Sequence, residues 1–182
     1  MSTVGHFVEY PQISQSGADA RWYAVHTRSR HERAVATQLR EQGVSTFLPT
    51  ITQIRRWSDR RKLVELPLFL GYVFVHTVVS AQIRRTVLFA RGVAGFVAMR
   101  GEPLPIPDEQ IDSVKELIAK NIHCTAYPFL KIGQRVRIRG GSLEGLEGIL
   151  VSHNGDRKLV ISVDTIERSF SIRIEGYDVE VL

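Results

Sequence analysis

The stretch GQRVRIRGGSLEGLEGILV, residues 133–151, contains five glycines in nineteen positions, beside an alternation of Val and Ile with Arg. A phosphate-binding loop of the Walker type needs Gly-Lys-Ser/Thr leading into a helix. Here Gly148 leads instead into Ile149-Leu150-Val151, which is typical of a strand. We therefore interpret the glycines as turn and bulge positions of a β structure, where a positive φ or a close strand crossing is needed.

The sequence after this stretch keeps a period of two, which is the period of a strand with one buried face. Asn154-Gly155 separates two such runs and is a strong signal for a hairpin turn. About five short strands in the 56 residues from Tyr127 predict a small all-β barrel. The apolar positions of the later runs are Leu159, Ile161, Val163, Phe170, Ile172 and Ile174.

The N-terminal part contains both the strand period of two and the apolar spacing of helices. A helix is predicted after RWYAVHT (21–27), because Ser29 and Glu32 have the spacing of a capping box and Gly43 can end the helix. Ser80 and Asp108 are predicted to cap two further helices. The second of these has one apolar face, which is shared by Ile111, Val114, Leu117 and Ile118. The order of elements predicts an α+β sandwich, with helices on an antiparallel sheet. The predicted strands are 21–27, 44–51, 62–77 and 95–99.

Charge and composition limit the kinds of function. Residues 21–123 carry 16 basic and 9 acidic side chains, whereas residues 127–182 carry 8 of each. The basic surplus therefore belongs to the N-terminal part and indicates an electrostatic partner there. Cys124 is the only cysteine, which excludes an intrachain disulfide. With neither a signal-peptide pattern nor an apolar stretch of eighteen residues, we expect a soluble, cytoplasmic protein.

Five fragments, in order, resemble the NusG family of transcription elongation factors, which includes specialised paralogues of the RfaH type. "RWYAV" is similar to the family's first strand, and "PLFLGYVFV" to its F-P-G-Y-V-x-V strand, with Leu70 in place of the usual proline. "RGVAGFV" and "PLPIPDEQI" resemble the next strand and helix. "IGQRVRIRGGSLEGLEGILV" is similar to the KOW motif.

The resemblance implies two domains: a NusG-type N-terminal domain at 21–120 and a KOW domain at 129–182. Residues 1–20 are then a loose tail and residues 121–128 a linker. The N-terminal domain would bind RNA polymerase and suppress pausing or termination. The KOW domain, an SH3-like barrel, would recruit a small-subunit ribosomal protein or the terminator Rho. The residues leave open whether such a factor acts on all transcripts or on selected operons.

Four aromatic residues match the family's polymerase-binding patch: Trp22, Tyr23, Phe69 and Tyr72. We expect at least two of them to form an exposed apolar patch, although aromatics are also common core residues. Because side chains alternate along a strand, Trp22 and Tyr23 cannot face the same side. Arg84, Arg85 and Thr86 lie where RfaH-like factors carry a second polymerase contact, and the alternative is an exposed helix surface.

Five cationic residues around one tryptophan form a cationic segment. Arginine and indole together can meet phosphates and a base face, and the resemblance implies a hairpin near upstream DNA. The alternative is a solvated hairpin tip. The segment comprises Arg55, Arg56, Trp57, Arg60, Arg61 and Lys62.

In the KOW domain, the turn from Gly141 to Gly145, with Leu143 and Leu146, is the candidate partner contact, and packing of the two leucines within the loop is the alternative. The even charge of this half favours a protein partner over RNA, although an RNA- or ribosome-binding KOW protein remains a second hypothesis. His26 and His31 lack a third ligand and no nucleophile elbow is present, so we expect no enzyme, metal or cofactor. We expect a monomer that does not bind membranes.

Overall fold

The computed structural model describes residues 20–56, 61–120, 125–127, 133–153 and 156–182. Its N-terminal half has an α+β architecture, as the sequence predicts. The elements of this half are β1 (Arg21–Thr27), α1 (Glu32–Glu41), β2 (Ser45–Phe47), β3 (Thr50–Arg56), β4 (Arg61–Pro67), β5 (Tyr72–Thr77), α2 (Ala81–Phe89), β6 (Val93–Phe96), β7 (Ala98–Met99), β8 (Glu102–Pro103), β9 (Pro105–Ile106) and α3 (Asp108–Ala119).

The N-terminal sheet has the strand order β2-β5-β1-β6, with β9 also paired to β1. Its pairs are antiparallel; Trp22 lies opposite His76, and Val25 opposite Val73. Alternation along β1 and β5 gives the sheet two apolar faces. One face packs on α1 and α2, burying Val35 and Leu39. The other packs on α3.

The start of α1 differs from the sequence prediction. The helix begins at Glu32 after His31, and no side chain caps its first turn. The Glu32 carboxylate is buried and accepts a hydrogen bond from the Gly71 N–H at 2.8 Å, so it joins α1 to the turn before β5. The predicted capping box is therefore wrong, because a tertiary partner occupies this carboxylate. Gly43, with φ of 80°, follows the end of the helix as predicted.

The other two helices follow the sequence more closely. Ser80 caps α2, since its hydroxyl oxygen accepts the Ile83 N–H at 3.2 Å. Pro107 occupies the N-cap position of α3, so Asp108 is the first helical residue and not the cap. Of the four residues predicted on the apolar face of α3, Ile111, Val114 and Leu117 are buried and Ile118 is half-buried.

The C-terminal half is all β, as predicted. Its strands are β10 (Thr125–Tyr127), β11 (Gln134–Arg139), β12 (Glu147–His153), β13 (Asp156–Val163), β14 (Arg168–Arg173) and β15 (Asp178–Val181). They form an antiparallel sheet of order β10-β14-β13-β12-β11-β15, here called the barrel. β10 lies within the segment predicted as linker and pairs with β14. His153 and Asp156 pair across the predicted Asn-Gly turn, which lies outside the described residues.

The glycines of the opening stretch have the two roles that the sequence predicts. Gly145 has φ of 86°, a conformation that side-chain-bearing residues rarely adopt. Gly148 instead lies where β12 crosses close to β13, and a Cβ there would be 2.5 Å from the Val160 carbonyl oxygen. A side chain at Gly148 would therefore push the two strands apart.

The barrel packs against the N-terminal half on the sheet face that carries α3. Apolar residues of the two halves form one continuous buried cluster, which includes Trp22, Ile111, Leu159 and Ile172. Hydrogen bonds join the halves at its rim: the Gln110 side chain donates to the Asp164 carboxylate at 3.0 Å and accepts the Asp164 N–H at 3.0 Å. Lys120 donates to the Glu144 carbonyl at 2.6 Å.

Candidate functional sites

The aromatic pair on β1 divides between the two faces of the sheet, as strand alternation predicts. Trp22 is 9% exposed and lies on the α3 face, where its ring centroid is 4.9 Å from that of His76. The Lys115 ammonium of α3 lies 4.9 Å from the centre of the indole, within cation–π range. Tyr23 lies on the opposite face and meets Phe96 edge to face at 6.4 Å.

Phe69 and Tyr72 lie in and just after the turn between β4 and β5. Phe69 is 2% exposed, and its ring meets Phe74 at 5.3 Å and the barrel's Phe170 at 4.9 Å, both edge to face. Tyr72 is half-buried, and its N–H donates to the Phe69 carbonyl at 3.2 Å. Leu70, which replaces the family's usual proline, is 70% exposed at the tip of the turn.

The expected exposed aromatic patch is therefore absent from this arrangement of the described residues. Trp22 is covered by α3 and Phe69 by the barrel, while Tyr23 and Tyr72 are half-buried. The physical reason is that large apolar rings on a sheet face are stabilised by removal from water, and the barrel supplies the cover. Sequence reasoning had no signal for this contact, because it joins residues about a hundred positions apart.

On α2, the three predicted residues have different environments. Arg84 is tied to the β7–β8 hairpin, donating to the Gly101 carbonyl at 3.0 Å and to the Glu102 carboxylate at 2.6 Å. Arg85 is exposed, and no described residue pairs with it. Thr86 is half-buried.

The same helix carries an apolar pair that the sequence analysis did not single out. Leu88 is 49% exposed and Phe89 is 81% exposed, three and four residues after Arg85. Such spacing places all three on one face of the helix, opposite the buried Val87. The sequence did contain a signal for this pair, because residues three and four positions after Arg85 share its face of a helix.

The cationic segment is carried by the hairpin of β3 and β4, which forms a two-stranded sheet of its own. The register pairs Arg55 with Lys62 and Arg56 with Arg61, so four of the predicted cations lie together near the end of the hairpin. Trp57 and Arg60 lie outside the described residues, as do the side chains of the other four.

The base of this hairpin is braced against α1. Arg33 donates to both the backbone carbonyl and the carboxylate of Glu65, at 3.0 and 2.8 Å, and Thr50 donates to the same carboxylate at 2.7 Å. The hydrogen bonds from Thr50 and from Arg33 hold the pKa of Glu65 below its ordinary value. The brace therefore joins three elements at the point where the hairpin leaves the domain.

In the barrel, the candidate partner contact at the Gly141 to Gly145 turn does not expose its two leucines. Leu143 is 4% exposed and Leu146 is fully buried, because the turn from Gly141 to Gly145 folds both side chains inward. Backbone hydrogen bonds fix this turn: the Gly145 N–H donates to the Ile138 carbonyl at 3.0 Å, and the Ile138 N–H donates to the Leu146 carbonyl at 2.9 Å. The structure thus shows the alternative, in which both leucines pack within the loop.

A metal site, a membrane-spanning helix and a ligand groove each require a particular arrangement of the described residues. No three described His, Cys, Asp or Glu side chains are grouped so that they could hold a metal ion. None of the described helices is both long enough and apolar enough to cross a bilayer. One open groove of about 370 Å³ lies between β1, α2 and β8, and Arg21, Tyr23, Arg84 and Glu102 are among its lining residues.

Comparison with known proteins identifies the family. The family model described as "Transcription termination factor nusG" matches residues 20–115, more than half of the chain. The chain is 27% identical over 174 residues to the transcription termination/antitermination protein NusG of Lactococcus lactis, covering 89% of this chain and 93% of that protein. It is 28% identical over 184 residues to the NusG of Staphylococcus carnosus, covering 93% of this chain and all of that protein.

A solved structure shares the fold. The structure titled "Domain interaction in Thermotoga maritima NusG" superposes with a TM-score of 0.52 at 22% identity, and the match covers 86% of this chain and 93% of the other. At that identity the likeness concerns the fold alone.

Proposed function

The chain belongs to the NusG family, and from that premise we propose that it is a transcription elongation and antitermination factor that binds RNA polymerase through its N-terminal half. The observation that carries the proposal is the match of residues 20–115 to the family model, which spans the sheet bearing Trp22, Phe69 and Tyr72. In this proposal these rings, together with Tyr23, Arg84, Arg85 and Thr86, form or flank the polymerase contact. The protein acts by binding and catalyses no reaction.

Binding through Phe69 requires the barrel to move away. Phe170 now contacts the Phe69 ring that a polymerase surface would have to meet, at 4.9 Å between centroids. The proposed domains, 21–120 and 129–182, are joined by a single segment, 121–128. Because β10 within that segment pairs with β14, the barrel would separate about the residues that precede β10. The polar bonds at the rim are exposed, and exposed hydrogen bonds each contribute only about 1 kcal/mol.

The hairpin of β3 and β4 is proposed to contact upstream DNA. Its paired cations, Arg55 with Lys62 and Arg56 with Arg61, lie on neighbouring strands, which concentrates positive charge at one end of a narrow arm. The brace between Arg33 and Glu65 limits the directions in which that arm can point. Phosphate contacts of this kind raise affinity without reading the base sequence.

The barrel is proposed to recruit a protein, either a small-subunit ribosomal protein or Rho, by analogy with the family. Its arginines are largely neutralised by its own acids: Arg137 pairs with Glu147, and Arg173 lies 3.4 Å from Asp156. A surface whose charges cancel locally attracts RNA weakly. An RNA- or ribosome-binding KOW protein is the second candidate.

The proposal is tested by co-purification with core RNA polymerase. Residues 1–123 should be retained by immobilised polymerase, whereas residues 125–182 should pass through and instead be retained by the small-subunit ribosomal protein or by Rho. Retention of the barrel alone by polymerase would refute the assignment of the N-terminal half. Tight binding of the barrel to a generic RNA, with neither protein engaged, would favour the second candidate.

A further inference from the structure

The C-terminal turn of α2 presents a second surface, and the polymerase proposal does not use its apolar residues. It consists of Leu88 and Phe89, bracketed by Arg85 and Arg91, and is here called the α2 patch. Phe89 is 81% exposed, the largest exposure among the described large apolar side chains. Removal of a phenyl ring from water is favourable, so a partner that covers Phe89 gains binding free energy.

The backbone on either side of the α2 patch is fixed. Val87 and Ala90 are buried on each side of the exposed pair. The Arg91 N–H donates to the Gln38 side chain of α1 at 3.0 Å, and the Arg28 N–H donates to the Gly92 carbonyl at 2.7 Å. Phe89 is therefore displayed from a rigid support, which lowers the entropic cost of binding.

The charge around the patch indicates what would cover it. Arg85 and Arg91 are both exposed, and neither has an ion-pair partner among the residues that the structure describes. By contrast, Arg84 on the same helix is neutralised by Glu102. Two unpaired guanidinium groups beside an apolar pair are complementary to carboxylates beside an apolar side chain, and arginine and aromatic residues are enriched at protein interfaces.

We propose that the α2 patch binds an acidic protein segment that inserts a leucine or phenylalanine side chain against Phe89 and Leu88, while its carboxylates pair with Arg85 and Arg91. A nucleic acid fits less well, because a base could stack on Phe89 but would leave the apolar Leu88 without a complementary partner. A second copy of this chain fits less well too, since a two-fold contact would bring like charges together.

The position of the patch makes this binding independent of the barrel. α2 packs on the sheet face that carries Val25, Val73 and Val75, whereas the barrel covers the face that carries Trp22. The partner can therefore bind whether the two halves are joined or apart. Arg85 is shared with the proposed polymerase contact, whereas Leu88, Phe89 and Arg91 are not, so a substitution at Phe89 tests the inference separately.

Fluorescence anisotropy with the full chain tests the inference. The probe is a labelled twelve-residue peptide of Asp and Glu around a central Leu-Phe pair. One matched peptide has Ser in place of the apolar pair, and another has Lys in place of the acids. The first should bind, and both matched peptides should bind at least about tenfold more weakly. Added salt should weaken binding of the first peptide.

Two variants locate the binding surface. Phe89→Ser and Arg85→Glu should each weaken the acidic peptide about tenfold, and circular dichroism should show an unchanged fold because both side chains are exposed. Leu63→Ser and Arg168→Glu are the matched controls, since both residues are exposed elsewhere, and they should leave affinity unchanged.

Three results would overturn the inference. The first is failure of the acidic peptide to bind, or binding that Phe89→Ser does not weaken. The second is a single-stranded oligonucleotide that binds more tightly than the peptide and is lost in Phe89→Ser, which would assign the patch to nucleic acid. The third is a dimer in sedimentation equilibrium that Phe89→Ser dissolves, which would assign it to self-association.

Discussion

The ring of Phe170 in β14 meets the ring of Phe69 edge to face, with centroids 4.9 Å apart. One ring belongs to the barrel and the other to the aromatic set that the family resemblance assigns to polymerase binding. The same contact therefore stabilises the closed arrangement of the two halves and covers the proposed binding surface. Any partner that uses Phe69 competes with Phe170.

Replacing Phe170 with Ala should release the barrel from the N-terminal half. Loss of the ring contact and of its buried area should weaken docking by about 2 kcal/mol. Hydrogen–deuterium exchange at 69–72 should then become faster. Arg168→Ala, an exposed position on the same strand, is the control and should leave exchange unchanged. Unchanged exchange in Phe170→Ala would mean that this contact does not hold the halves together.

Replacing Gln110 with Ala should weaken the same docking by a smaller amount. Two hydrogen bonds to Asp164 are lost, but they are exposed, so the expected cost is about 1 kcal/mol. A double-mutant cycle with Asp164→Ala should show that the two substitutions are not additive. Gln82→Ala, on the exposed face of α2, serves as the control. Full additivity would show that the two side chains are not coupled in solution.

The brace at the base of the hairpin should depend on pH. Because Thr50 and Arg33 lower the pKa of Glu65, its folded form prefers the carboxylate. Its contribution to stability is thus present above the ordinary value of 4.5 and is lost as pH falls through the lowered folded pKa. The Arg33–Glu65 pair is about half exposed, so the effect should be below about 1 kcal/mol.

Amide exchange at Ile51 and Leu66, measured at decreasing pH and corrected for the intrinsic rate, reports on this brace. Exchange should rise in the wild type below the folded pKa of Glu65. Glu65→Gln should show the faster exchange at every pH, with no step. A step of equal size in both proteins would assign it to another group.

Replacing Gly148 with Ala should destabilise the barrel more than replacing Gly145. The new Cβ at Gly148 would be 2.5 Å from a backbone oxygen, a clash that costs about 3 kcal/mol. At Gly145 nothing lies within 4 Å, so only the cost of the positive φ remains, about 1 kcal/mol. Urea unfolding of the full chain measures both. The reverse order would contradict the close crossing of β12 and β13.

The hairpin cations should give a salt-sensitive contact with DNA. Removing Arg55, Arg56, Arg60 and Arg61 together should lower the slope of log affinity against log salt by up to about 3 to 4 units, if all four meet phosphates. The assay uses DNA scaffolds that carry polymerase. Removing four arginines outside the hairpin, Arg28, Arg100, Arg135 and Arg168, should leave the slope nearly unchanged. An unchanged slope in the hairpin variant would limit the cluster to a solubility role.

Patterns in the sequence predicted the parts of this fold that depend on residues close together in the chain. Strand alternation separated Trp22 from Tyr23. The helical period of α3 predicted one apolar face, of which Ile111, Val114 and Leu117 are buried and Ile118 is half-buried. The glycines of the KOW-like stretch were correctly interpreted as turn and crossing positions. A positive φ and a close approach of two strands both favour glycine, whatever the tertiary contacts are.

Contacts between residues far apart in the chain could not be predicted from the sequence. Glu32 has the spacing of a capping residue, yet its carboxylate bonds to Gly71, thirty-nine residues away. Leu143 and Leu146 sit in a glycine-rich turn and are nevertheless buried, since the direction in which a turn folds its side chains depends on the whole barrel. Similarly, the burial of Phe69 depends on a ring from the other half of the chain.

The most direct test of the account is the affinity of core RNA polymerase for four proteins: the full chain, its Phe170→Ala variant, residues 1–123, and residues 1–123 with Phe69→Ser. Residues 1–123 and Phe170→Ala should bind more tightly than the full chain, because neither requires Phe170 to be displaced. Phe69→Ser in the fragment should bind at least about tenfold more weakly than the unaltered fragment. If the fragment does not bind, or if Phe69→Ser binds as well as the unaltered fragment, polymerase does not use this surface.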